Sequence, residues 1–61
     1  MDVTLEAMVN EMIARLESAK VDAVKFDNGN NAAGTRVRGV MQEMKKQAQV
    51  ARNYVSEKKA K

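Results

Sequence analysis

The chain has 61 residues with no Cys, His, Pro or Trp, and sets 11 Lys and Arg against 8 Asp and Glu for a formal charge of +3. Without Cys there is no disulfide or thiolate, and without His the commonest metal ligand and general base are missing, so no enzymatic activity, metal site or cofactor is expected. A domain this small buries only about 60% of its unfolded surface and leans on disulfides, metals or self-association. Self-association is what remains, so a homo-oligomer, most simply a dimer, is expected.

No apolar run approaches the roughly 18–20 residues that span a bilayer. Met1-Asp2-Val3-Thr4 opens with an acid instead of the basic start of a signal peptide. The expectation is therefore a soluble, cytoplasmic protein without a membrane partner or small-molecule substrate. Ala, Met, Glu, Lys, Gln and Arg dominate the composition, and these side chains lose little freedom in a helix.

Apolar or small residues recur at Leu5, Met8, Met12, Leu16, Ala19, Ala23 and Phe26, in steps of three and four. That is the period of an amphipathic helix, predicted over about residues 3–27. Asp2 or Thr4 can cap it, and Glu6 suits the positive end of its dipole. Glu11 and Arg15 are spaced i,i+4 with the acid first, the better orientation. Val9 and Ile13 widen the apolar face on one flank. A two-helix unit cannot bury that flank, so Leu5, Val9, Met12, Ile13 and Leu16 are the candidate oligomer interface.

A polar hinge follows at about 28–31, where Gly29 between Asn28 and Asn30 is a natural left-handed terminator. A second helix is predicted over about 32–58, capped by Asn30 or Asn31. Its seam runs through Val37, Val40 or Met41, Met44, Ala48, Ala51 and Val55. Gly34 and Gly39 each cost about 1 kcal/mol relative to Ala inside a helix, which implies a close backbone approach to the first helix or to a phosphate. Residues beyond Val55 lack a seam position and are expected to fray. The whole chain reads as one all-α domain, an antiparallel two-helix hairpin that dimerises into a four-helix bundle.

Charge is divided unevenly about the hinge, with a formal −3 over residues 1–30 and +6 over residues 31–61. With Val37 at 0°, Arg38, Lys45, Arg52 and Lys59 fall at about 100°, 80°, 60° and 40°, one ridge of side chains roughly 10 Å apart. Lys46 falls at about 180°, Arg36 near 260°, and the acids Glu43 and Glu57 near 240° and 200°. Such a ridge is what a polyanion-binding helix presents. It is also what a coiled-coil flank presents to acids on a neighbouring helix, for which Glu6, Glu11, Glu17 and Asp22 are available. Eight basic residues in this half outnumber its own two acids and the six of the first half. Part of the positive field is therefore left for phosphates.

Other chemistry has little support. Ser18, Ser56, Thr4 and Thr35 have no base in the sequence to activate them. Gly29 to Gly34 is not a phosphate-binding loop, because Thr35-Arg36 replaces its Lys-Ser/Thr. Met8, Met12, Met41 and Met44 read as adaptable core filler, and Tyr54 as a bundle-edge residue.

The segment Lys25-Phe26-Asp27-Asn28-Gly29-Asn30-Asn31-Ala32-Ala33-Gly34-Thr35-Arg36-Val37-Arg38, followed by Met41 to Gln49 and Arg52, resembles the bacterial linker-histone-like proteins of chlamydiae and their relatives. That family carries a Gly-Asn-x-Ala-Ala-x-x-Arg-x-Arg segment at the start of a basic helix, matched here by Gly29 to Arg38. The resemblance implies non-specific binding of double-stranded DNA and nucleoid condensation, with no enzymatic activity. It places the paired arginines on Arg36 and Arg38 and further basic positions on Lys45, Lys46 and Arg52. Position 31, often Lys in the family, is Asn31. Chlamydial members continue into a long Lys/Ala-rich tail, whereas this chain stops at Lys61, so its affinity is expected to depend on oligomerisation. Arg36, Arg38, Lys45, Lys46, Arg52, Lys58, Lys59 and Lys61 are the candidate DNA-binding residues. The competing reading is a helical-hairpin interaction module with no nucleic-acid role.

Overall fold

Thr4 sets the start of the first helix. Its extended backbone (φ −109°, ψ 159°) and its hydroxyl, which accepts from the Ala7 N–H at 3.1 Å, form the N-cap of α1, Leu5–Asp27. The helix therefore begins two residues later than the periodicity alone predicts. The computed structural model describes residues 3–59; the alternative cap Asp2 and the candidate Lys61 lie outside them.

The end of α1 is a Schellman turn. The Asn30 N–H donates to the Lys25 carbonyl at 3.0 Å and the Gly29 N–H to the Phe26 carbonyl at 2.9 Å. This geometry requires a left-handed residue, and Gly29 supplies it at φ 104°. Asn30 then turns its side chain to the next helix and accepts from the Ala33 N–H at 3.1 Å. One hinge thus closes one helix and caps the next, α2, Asn31–Lys59. The fraying expected after Val55 does not occur before Lys59. Lys58 reaches back one turn to lie 5.6 Å from the Tyr54 ring centroid, and both terminal lysines complement the negative helix end.

The described residues contain two helices and no strand, arranged as an antiparallel hairpin of 49 × 17 × 16 Å. Along the seam Ala19, Ala33 and Met44 are buried, with Met8, Met12, Ala23, Val37, Val40, Ala48 and Ala51 half-buried around them. Val40, not Met41, occupies the seam, since Met41 is half-exposed. Near the hinge a Cβ on Gly34 would run into the Phe26 ring, so this glycine admits an aromatic edge from α1. Its expected close approach is thereby to α1. Gly39 has nothing within 4 Å of its Cβ position, and no contact accounts for it.

Two ion pairs tie the helices together across the seam. Arg15 Nη1 donates to Glu43 Oε2 at 2.6 Å, and Arg36 Nη2 donates to Asp22 Oδ1 at 3.0 Å. The intrahelical Glu11–Arg15 pair is looser, at 3.9 Å. All are solvent-accessible pairs of the kind that contribute about 0–1 kcal/mol each, so they set register more than they add stability.

Candidate nucleic-acid interface

The two ion pairs fix which flanks of the helices share a side. Taking Met12 as 0° on α1, Arg15 and Asp22 lie at about 300° and 280°, and their partners Glu43 and Arg36 lie at about 240° and 260° on α2. Rotations of the same sign therefore fall on the same side of this antiparallel hairpin. On α1 the opposite flank carries Leu5, Leu16, Val9 and Ile13, at about 20°, 40°, 60° and 100°. On α2 it carries the ridge of Arg38, Lys45, Arg52 and Lys59. One long side is thus braced by ion pairs, and the other joins an apolar stripe to a row of cations.

The basic row is exposed along its length. Among the described residues the ion pairs involve only Arg15 and Arg36 as cations, so Arg38, Lys45, Lys46, Arg52, Lys58 and Lys59 make none. The acids of α1 that spacing offered as partners are engaged or displaced: Asp22 holds Arg36, and Glu11 lies on the braced side beside Arg15. Glu6 and Glu17 lie on the outer edge of α1, away from α2, near 120° and 140°.

The structure separates Arg36 from the other candidates. It points to the braced side, and its guanidinium holds the Asp22 carboxyl below the usual carboxylate range, chiefly through the hydrogen bond between them. Asp22 in turn raises the pKa of Arg36. Lys46 lies on the outward face of α2, between the two sides, and Lys58 is drawn toward Tyr54. Sequence periodicity did not find the bracing roles of Asp22 and Glu43. The available signal was that Arg36 and Glu43 share one flank of α2.

The candidate oligomer residues also divide. Leu5, Val9, Ile13 and Leu16 are 36–47% exposed, whereas Met12 is half-buried beneath them and belongs partly to the hairpin seam. At the open end of the braced side, a shallow hollow of about 160 Å³ is lined by Val3, Met8, Glu11, Gln47 and Val50. It runs into a second of about 220 Å³ lined by Met8, Val50, Asn53, Tyr54 and Glu57. The carboxylates of Glu11 and Glu57 make these hollows unfavourable to a polyanion. Among the described residues no helix is long and apolar enough to cross a membrane.

Residues 6–61 match the family model described as histone H1-like protein Hc1. No curated protein and no solved structure is significantly similar to the chain. The match spans both helices, the hinge and the basic ridge, and the chain belongs to the histone H1-like protein Hc1 family.

Proposed function

We propose that this protein is a sequence-non-specific DNA-binding, nucleoid-associated protein of the cytoplasm that compacts or bridges duplexes through α2. The observation that carries the reading is the unpaired ridge of Arg38, Lys45, Arg52 and Lys59, on the side of the hairpin opposite its ion pairs. Membership of a histone H1-like family supports it. A cation on a helix surface with no carboxylate beside it keeps its full attraction for phosphate and releases counterions from DNA when it binds. A straight row of such charges positions a protein on the backbone and carries no information about base edges. Lys46 and Lys58 adjoin the ridge and add to its field. Arg36 contributes less, because Asp22 already neutralises it. Bridging or compaction needs more than one such surface, which a self-associating chain supplies.

Gel-shift titration with two duplexes of unrelated sequence, between about 50 and 200 mM salt, tests the reading. Equal affinity for both duplexes is expected, with a salt slope of about −0.9 per phosphate contacted, or roughly −4 for one ridge. No shift of either duplex at low salt rejects it. Retained self-association without any shift selects instead a helical-hairpin interaction module, the reading that the exposed apolar stripe would then carry alone.

A further inference from the structure

Beside the ridge, the exposed stripe on α1 has no role in contacting phosphate. A compactly folded chain of 6.8 kDa exposes about 4,000 Å². This hairpin exposes 5103 Å², a surplus of roughly 1,100 Å² over that expectation. Each partner in a standard protein interface contributes about 800 Å², so the surplus is the size that one further contact would cover. The apolar part of that surface is concentrated. Leu5, Val9, Ile13 and Leu16 follow one another along the half of α1 far from the hinge, above Met12, with no charged residue between them on that flank. Toward the hinge the flank changes character, because Lys20 and Asp27 enter it at about 80° and 60°.

We infer that this stripe is where a second copy of the chain docks, α1 against α1, with each α2 left outside the seam. The ridge decides the arrangement. If the open sides of two hairpins stacked flush as a four-helix bundle, each ridge would meet either the partner's ridge or the partner's stripe. The first places rows of like charge together as water leaves, and the second buries unpaired cations against apolar surface. Stripe on stripe buries apolar against apolar and leaves Arg38, Lys45, Arg52 and Lys59 in water. The seam is independent of the DNA reading, since it forms without any nucleic acid.

The chain has no Cys, so single-cysteine variants report neighbours cleanly. With a short bismaleimide and no DNA present, Val9→Cys and Ile13→Cys are expected to give covalent dimers, and Lys45→Cys none. Light scattering is expected to find two copies, and the same mass in high salt. A Val9→Glu/Ile13→Glu variant is expected to be half that mass. Should it lose helicity as well, the crosslinking pattern alone decides. Crosslinking through Lys45→Cys would overturn the inference in favour of a flush bundle. A monomeric wild type, a dimer that dissociates in high salt, or a folded Glu variant that remains dimeric would also overturn it. Binding of the wild type to anionic vesicles but not to itself would overturn it in favour of a lipid surface.

Discussion

The two long sides of the hairpin use the same residue types to opposite ends. On one, Arg15 meets Glu43 and Arg36 meets Asp22, so that charge is matched across the seam and holds the helices in register. On the other, Arg38, Lys45, Arg52 and Lys59 face α1 where it offers Leu5, Val9, Ile13 and Leu16, and no ion pair forms among the described residues. What separates a structural arginine from a ligand-facing one is here only the flank of α2 on which it falls. Arg36 and Arg38 stand two residues apart and differ by about 200°.

The sharpest way to break this contrast is to neutralise each side in turn. Gln at Arg38, Lys45, Arg52 and Lys59 should weaken duplex binding by orders of magnitude at low salt and flatten the salt slope by about 3.6. Gln at Arg15 and Arg36 should leave the affinity within a few fold while lowering Tm. Equal losses from both variants would show that net charge, and not its side, governs binding. Circular dichroism on both variants confirms that the helices persist.

A control for the contrast comes from Gly39, which touches nothing and lies on the outward face of α2. Gly39→Ala should stabilise the hairpin by about 1 kcal/mol in thermal or urea unfolding without changing the salt slope. Gly29 is the opposite case. With φ at 104°, Gly29→Ala should cost about 1 kcal/mol in the same measurement.

Much of this was legible from the residues, for reasons that can be stated. The three- and four-residue steps from Leu5 to Phe26, the Asn-Gly-Asn hinge and the seven-residue spacing of the ridge are local patterns, and local patterns determine helices. Thr4 and Asn30 were among the foreseeable caps because short oxygen-bearing side chains satisfy free amides there. The pairing of flanks was not legible. An angle on a wheel describes a residue about its own helix axis, and which side it shares with the other helix depends on how the hinge lays the two together. For the same reason Asp22 was grouped with acids that could neutralise the ridge, when the hinge assigns it to Arg36. Gly34 was recognisable as a close approach but not as the seat of Phe26, which needs the two helices side by side.

Two smaller tests sharpen the same comparison at Asp22. Asp22→Asn should free Arg36 and lower Tm, while steepening the salt slope of DNA binding by at most about 0.9. The second test is acid titration of stability. The folded-state pKa of Asp22 is depressed by Arg36, so its contribution is fully present above the unfolded value of about 3.9 and is lost as pH falls through the folded one. Unfolding followed below about pH 4 should show this loss in the wild type and a shallower one in Asp22→Asn.

The hinge has a consequence beyond joining two helices. With only Asn28, Gly29 and Asn30 between them, α1 and α2 cannot turn independently about their axes. One residue inserted between the Asn30 cap and Arg36 would rotate the rest of α2 by about 100° relative to that cap. Arg36 would swing away from Asp22, and the cations would no longer flank the stripe. The length of chain from cap to ridge therefore acts as an angular setting, and length variation in that segment should alter DNA binding even where every charged residue is kept.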